Sequence, residues 1–274
     1  MKRAGIFYNP RRSKARSFSR EIERFLNSEG ISSWLCSAWE PEQAEPQLEG
    51  TDTVISVGGD GTILRAARAV LQHDIPIIGI NLGRLGFMTE LESSEALDKL
   101  PALLRGEGWI EQRCVLQAHL PSYDRTLYAV NDVFIGRRSV ARLLNVECRI
   151  DGEVMATYRA DGVLVATPSG STGYALAAGG PVLHPQSQDM ILMPVCSHVT
   201  FDKALVLPQK TVLGLTVITR HEAMISVDGQ VEVQLESGDN IEVKASPYTA
   251  KLMRIQPGNY FYRSLESKLK RKTT

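Results

Sequence analysis

Apolar and polar residues follow two rhythms along the chain, and the change falls near residue 110. Before it, short apolar runs take turns with amphipathic stretches. Gly5–Tyr8, the β-branched run Thr53–Val57 and Ile75–Ile80 read as buried strands. Ser17–Ser28 sets Phe18, Ile22, Phe25 and Leu26 on one helical face, with Gly30 as a stop. Thr62–Gln72 does the same with Ile63, Leu64, Ala67, Val70 and Leu71, and Ser94–Leu104 reads as a further helix ended by Gly106. Strands that take turns with helices predict a parallel sheet covered by helices.

Beyond residue 110 the runs are short and close together: Cys114–Leu120, Leu127–Ile135, Leu144–Ile150, Val163–Thr167, Val212–Thr219, Ala223–Val227, Val231–Leu235 and Ile241–Lys244. Asp151-Gly152, Asp228-Gly229 and Ser237-Gly238-Asp239 supply hairpin chemistry between them. This pattern predicts an all-β sandwich of two packed sheets. The expected division is an α/β domain over residues 1–110, a β-sandwich over 111–255, and a tail over 256–274 that packs back on the first domain, with a basic, frayed end from Ser264 to Thr274.

Composition narrows the classes. In 274 residues, 31 basic and 31 acidic side chains balance, which argues against a dedicated nucleic-acid partner. No apolar run reaches the roughly 18 residues of a membrane span, and the start has no signal-peptide core, so no membrane partner is expected and the cytosol is the expected location. Cys36, Cys114, Cys148 and Cys196 are scattered and the histidines lack metal spacing, so neither a disulfide scaffold nor a protein-built metal site is expected. The charge is locally uneven: residues 1–20 carry seven basic side chains and no acid. The plain reading is a solvated face, and a phosphate ligand is the other.

Chemistry concentrates at Gly58-Gly59-Asp60-Gly61-Thr62, between a buried strand and a helix start. Ligands of open α/β sheets bind at such strand ends, where glycines bring amides close to an anion and the helix N-terminus adds partial positive charge. Asp60 would repel a phosphate, so its presence implies a chemical role, either taking a proton from an attacking hydroxyl or holding a divalent metal. A tight turn without ligand is the alternative. The pattern fits neither the dinucleotide GxGxxG nor the P-loop.

GGDGT resembles the glycine turn of NAD kinases, of diacylglycerol- and sphingosine-type lipid kinases, and of phosphofructokinases. The rest of the chain resembles the first group. Asn81-Leu82-Gly83-Arg84-Leu85-Gly86-Phe87 is similar to its NxGxxGF, and Asn131-Asp132 to its Asn-Glu/Asp pair. The run from Arg159 to Pro185 resembles its DGxxxxTPTGSTAY…GGPxxHP signature, with Ser169 and Gly173 as departures. Pro194–His198 and Asp228-Gly229-Gln230 resemble two further stretches, Ser197 replacing a proline. The resemblance runs from about residue 5 to 260 and implies a phosphofructokinase-like α/β domain that binds the phosphate donor, joined to a dinucleotide-binding β-sandwich. It implies phosphorylation of the 2′-hydroxyl of the adenosine ribose of NAD to give NADP, with ATP or polyphosphate as donor, a divalent ion such as Mg2+, and a homodimer or homotetramer.

Residue roles follow from the same resemblance. Asp60 is the expected base, and Gly58, Gly59, Gly61 and Thr62 the cradle of donor phosphates. The expected NAD contacts are Gly61, Arg65, Phe87 (against adenine), Asn131 and Asp132 (ribose hydroxyls), Arg142, Arg159, Asp161 (nicotinamide side), Ser169, Thr172, Gly173, Tyr174, Ala175, Leu176, Ala177 and Gln230. His184 and His198 are expected to be structural hydrogen-bonders. A lipid kinase and a non-catalytic dinucleotide sensor are the competing readings; the first lacks a membrane-facing amphipathic helix, and the intact Asp60 counts against the second.

Overall fold

The computed structural model describes residues 1–83, 86–138, 143–197 and 202–270. The chain forms two compact units, Met1–Gln112 with Thr249–Thr274, and Arg113–Tyr248.

The first unit begins β1 (Arg3–Tyr8), α1 (Ser13–Ser28), β2 (Ser32–Ser37), α2 (Glu45–Leu48), β3 (Thr53–Gly58), α3 (Asp60–Val70), β4 (Ile77–Asn81), β5 (Leu91–Glu92), α4 (Ala96–Leu104) and β6 (Trp109–Arg113). The second unit holds β7 (Leu116–Leu120), β8 (Arg125–Ala129), β9 (Asp132–Arg137), β10 (Leu144–Ile150), β11 (Glu153–Ala160), β12 (Gly162–Ala166), α5 (Tyr174–Ala177), β13 (Met190–Val195), β14 (Leu205–Leu207), β15 (Leu213–Ile218), β16 (Ala223–Val227), β17 (Val231–Leu235) and β18 (Asn240–Ala245). The chain then returns to the first unit with β19 (Ala250–Arg254) and α6 (Tyr260–Lys270).

The first sheet runs β2-β1-β3-β4-β19-β6, with β5 beside β4. The strands β2, β1, β3 and β4 pair in parallel, so their carboxyl ends share one edge. β3 is buried along its whole length, Thr53 and Ser56 included, as a strand covered on both faces is. Ile22 and Leu26 of α1 and Leu100 and Leu103 of α4 pack with Ile6, Ile55, Ile78 and Ile80 in one core. The expected boundary at residue 255 falls after β19, a strand that pairs with β4. The frayed end expected from Ser264 onward is corrected: residues to Lys270 are helical, and the buried Ser264 and Lys268 tie that helix down.

The second unit is two six-stranded sheets, β11-β10-β15-β18-β7-β8 and β14-β13-β12-β9-β16-β17. Leu116, Val146, Leu215 and Val243 of one meet Val133, Val163, Leu192 and Ile225 of the other in a shared core. The second sheet is also covered on its far face, where Leu164, Ala166, Ile191 and Met193 pack with Ala175 of α5. The run expected as a single strand over Leu127–Ile135 is two strands in different sheets: the chain crosses between them at Val130-Asn131. A polar pair interrupts that apolar run because it sits at the crossing.

Candidate functional site

In the first unit the glycine turn caps the carboxyl end of β3. A Cβ on Gly58 would lie 2.1 Å from Thr62 Oγ1, so only glycine lets the strand pass this close to the helix start. Thr62 N–H donates to the Gly59 carbonyl (2.8 Å), and Thr62 Oγ1 accepts from Gly59 N–H (3.4 Å), closing the turn. Asp60 is the first residue of α3, where the helix dipole favours negative charge. Its Oδ2 accepts the Phe87 N–H (2.8 Å) and its Oδ1 the Met88 N–H (3.1 Å). A Cβ on Gly86 would lie 2.1 Å from Asp60 Oδ1, so the loop approaches the carboxylate as closely as it does only with glycine there.

That loop is held from the C-terminal strand. Arg254, 6% exposed, donates to the Met88 carbonyl (2.9 Å) and pairs with Glu90 (3.1 Å) and Glu111 (2.7 Å). Glu90 Oε1 accepts the Ile255 and Gln256 N–H groups at 2.8 Å each. The Phe87 ring lies 6.4 Å from the Phe261 ring and 5.4 Å from Lys268 Nζ, both on α6. Arg65 stacks over Trp39, its guanidinium carbon 4.3 Å from the ring centroid.

In the second unit Asn131 and Asp132 are fixed by the hairpin turn between β16 and β17. Asp228 and Gly229 both take positive φ (52° and 62°), the conformation of a tight two-residue hairpin turn. This aims the Asp228 carboxylate at β9, where it accepts N–H groups of Val130 (3.2 Å), Asn131 (2.7 Å) and Asp132 (3.2 Å). Asp132 is 7% exposed, and burial, then the charge of Asp228, push its carboxyl up to about 7. Thr167 clamps the crossing from the other side, donating its hydroxyl to the Val130 carbonyl (2.6 Å) and its N–H to that of Asn131 (2.8 Å). Asn131 Oδ1 is shielded from solvent and finds no hydrogen-bond partner among the described residues. A buried acceptor left this way is costly.

The signature run lies beside this pair. A Cβ on Gly170 would lie 2.1 Å from the Asn131 carbonyl oxygen, and Ser169 Oγ accepts from the buried Arg113 (3.0 Å). Ser171 and Thr172 hydroxyls donate back to the carbonyls of Pro168 (2.6 Å) and Ser169 (3.1 Å). Tyr174, 43% exposed, meets the Phe134 ring edge-on at 5.4 Å. Asp132, Phe134 and Gly136 share the face of β9 that points away from the sandwich core. Burial, Cys196, Asp161 and Asp132 together raise the Tyr174 hydroxyl, so this ring has a carboxylate toward each end of β9. Asp161 pairs with Arg137 (2.9 Å) at the far end, roughly 17 Å from Asp132 along the strand.

The comparisons agree with this architecture. Residues 13–108 match the ATP-NAD kinase N-terminal domain and residues 130–255 the ATP-NAD kinase C-terminal domain. An NAD kinase of Dehalococcoides mccartyi strain BAV1 is 41% identical over 98% of this chain and 96% of its own length. The chain belongs to the NAD kinase family. An NAD kinase of Chloroflexus aggregans is 36% identical over 99% of both chains. An NAD kinase from Archaeoglobus fulgidus, solved in complex with ATP, superposes with a TM-score of 0.82 at 28% identity, over 98% of this chain and 99% of that one. Yeast NADH kinase, solved with NADH, has the same fold, with a TM-score of 0.88 at 23% identity over 100% of this chain and 89% of that one.

Measured against the motifs of the NAD kinase family, the first unit gathers Gly58, Gly59, Asp60, Gly61 and Thr62 with the loop of Phe87. Arg65 is drawn to Trp39. In the second unit Asn131, Asp132, Ser169, Thr172, Gly173 and Tyr174 lie together, with Ala175, Leu176 and Ala177 in α5, whose buried Ala175 packs on the sheet. Gln230 follows the Asp228 turn and donates its N–H to the Val227 carbonyl (2.9 Å). Arg159 stands apart, exposed on the edge strand β11 of the other sheet. Arg142 and His198 lie outside the described residues. Four positions escaped the sequence reading, Arg254, Glu90, Glu111 and Arg113, and Asp228 was read as part of a turn and a motif without its clasp on residues 130–132. Arg254, between Met253 and Ile255 in an apolar strand, carried a signal, since a charge there needs buried partners.

Proposed function

We propose that this chain is an NAD kinase that moves the terminal phosphoryl group of ATP or polyphosphate to the 2′-hydroxyl of the adenosine ribose of NAD, giving NADP. One observation carries the reading: a single carboxylate at a phosphate-type glycine turn, with both oxygens aimed by amides of a remote loop. Asp60 takes the ribose hydroxyl proton as the new O–P bond forms and the bond to the donor's bridging oxygen breaks. The amides of Phe87 and Met88 fix the carboxylate before substrate arrives, so no reorganisation is needed during reaction. Catalysis in this class comes mostly from alignment and charge stabilisation.

The second unit supplies the dinucleotide contacts. Asn131 Oδ1, an acceptor without a partner among the described residues, and Asp132 offer bonds to sugar hydroxyls. The outer face of β9, with Tyr174 and Phe134 between Asp132 and Asp161, suits an extended ligand with aromatic rings and polar ends.

The acidic donor set at the turn is Asp60 alone, and among the described residues no cluster of three ligating side chains occurs. The reading includes a magnesium ion carried in on the donor phosphates, with Asp60 as the protein group that would hold it; such an ion would neutralise phosphate charge when bound. The reading includes a homodimer or homotetramer, with the exposed edge strand β11 as a surface a second copy can cover.

The test is purified protein with NAD, magnesium and either ATP or polyphosphate, followed by NADP detection. Asp60→Asn is expected to remove most turnover while circular dichroism stays native. Near-wild-type turnover in that variant refutes the base role, and tight NAD binding with no NADP from either donor identifies a sensor instead.

A further inference from the structure

We propose that Arg11, Arg12 and Arg65 form the seat for the donor's phosphate chain, with Trp39 as the plate that holds two of the guanidinium groups. The inference rests on the kinase reading and deepens it, because it assigns recognition of the donor to its linear phosphate chain.

The sheet order brings these residues together. Strands β2, β1, β3 and β4 are consecutive neighbours, and their carboxyl ends lead to Trp39, to Arg11 and Arg12, to the glycine turn, and to Leu82 and Gly83. Asn9 joins the edge: its N–H donates to the Val57 carbonyl (3.0 Å), and its side chain holds the Arg11 N–H (2.9 Å). Arg12 Nη1 lies 3.5 Å from the Leu82 carbonyl oxygen, and a Cβ on Gly83 would come within 2.7 Å of it. Because β3 lies between β1 and β4, an arginine that reaches from the end of one to the end of the other passes the glycine turn. On the other side of the turn, Arg65 and Arg11 stand 4.3 and 5.1 Å from the Trp39 ring centroid.

Among the described residues no carboxylate pairs with Arg11, Arg12 or Arg65, so three cations gather here without a protein counter-charge. Glu40, next to Trp39 in sequence, binds Gln43 (3.2 Å), and Asp60 gives both oxygens to backbone amides. Arg65 Nε is shielded from solvent and finds no acceptor among the described residues. Burial, and then Arg11, lower the Arg65 pKa, which marks a like-charge pair held close. Stacking on an indole offsets part of that repulsion, and planar guanidinium groups match phosphate oxygens in pairs. A polyanion at the turn completes the balance. Its source is either a nucleoside triphosphate or inorganic polyphosphate, since both present the same chain.

The experiment measures calorimetric binding of inorganic tripolyphosphate, and steady-state kinetics with ATP and separately with polyphosphate. It uses the wild type, Arg12→Gln, the double variant Arg11→Gln/Arg65→Gln, and Arg20→Gln, an exposed arginine on α1, as control. Losing charge-assisted hydrogen bonds is expected to weaken tripolyphosphate about 10- to 100-fold and to raise the donor KM by a similar factor. In Arg12→Gln the NAD KM should stay within about twofold, and Arg20→Gln should match the wild type. A rise with both donors shows that the chain alone is read, and a rise with one names the physiological source. Wild-type tripolyphosphate affinity and donor KM in both variants, with NADP still formed, overturn the seat. Arg12, exposed and tied among the described residues to a single carbonyl, keeps the test valid should the double variant fold poorly. Absence of NADP from wild-type protein defeats the kinase reading instead, while the titration still judges the seat.

Discussion

Replacing Asp132 by asparagine should make the protein more stable at neutral and alkaline pH, and by an amount that depends on pH. Asp132 is buried beside Asp228, and its carboxyl stands near 7 where the ordinary value is 3.8. The two acids are not equivalent, because Asp228 has three backbone N–H donors to hold its charge. The proton therefore resides on Asp132. The folded state binds that proton more tightly than the unfolded chain, so the stability it brings is complete below pH 4. It is lost progressively as pH rises, and fully lost above about 7. Three pKa units at 1.36 kcal/mol each amount to about 4 kcal/mol, a large share of a typical 5–15 kcal/mol. The asparagine amide would copy the shape of the protonated acid without titrating. Denaturant unfolding of wild type and Asp132→Asn at half-unit steps from pH 4.5 to 8.5 isolates this group from the others, which cancel in the difference. The stability difference should climb by up to about 1.4 kcal/mol per pH unit and level off above 7. A difference that stays flat across that range would refute the assignment of the proton to Asp132.

Gly86→Ala places a methyl group within 2.1–2.4 Å of the Asp60 carboxyl atoms, so the carboxylate must turn away or the loop must retreat. Its kcat should drop by about tenfold or more, the cost of roughly an ångström of misplacement, with far-UV circular dichroism unchanged and the NAD KM nearly so. Arg254→Met leaves Glu90 and Glu111 buried with one cation removed, and should cost about 3–5 kcal/mol in denaturant unfolding. The triple Glu90→Gln/Glu111→Gln/Arg254→Met should recover part of that loss, because the uncompensated charges go with it. Asp228→Ala strips the acceptor from three N–H groups at the strand crossing and should raise the NAD KM severalfold while ATP binding, measured without NAD, stays as it was.

Much of the fold was legible where the pattern is local. β3, β10, α3 and α4 lie within about two residues of their expected bounds, since burial on one or both faces writes its period into the sequence. Among the strands that escaped, three did so for separate reasons. β2 is an edge strand of the polar-rich sequence SSWLCS, half exposed, with no clean alternation. β13 carries Pro194, which reads as a strand breaker; the structure tolerates it because β14 pairs only with Met190–Leu192, so at Pro194 one side has no ladder to donate to. β19 is apolar enough to read as a strand, but its partner is β4, and no local pattern tells a strand which sheet to join.

The site divides the same way, and the division has a cause. Glycine turns and signature motifs are local and were read directly, whereas the groups that set their geometry come from far along the chain. Asp228 holds an amide 97 residues away, and Arg254 a carbonyl 166 residues away. One device serves both units: a carboxylate clasped by two or three amides of a remote segment, Asp60 by residues 87–88 and Asp228 by residues 130–132. Charge-assisted bonds of this kind are short and directional, so they fix a loop more firmly than apolar packing. They also demand close approach, which is why glycine stands where backbone and acid or backbone and backbone meet, at Gly86 against Asp60 and at Gly170 against the Asn131 carbonyl. Loop and acid therefore cannot vary independently. A substitution at either glycine acts on the chemistry without touching a substrate, and the pairs Asp60 with Gly86 and Asn131 with Gly170 should be non-additive in double-mutant cycles, unlike either pair taken across.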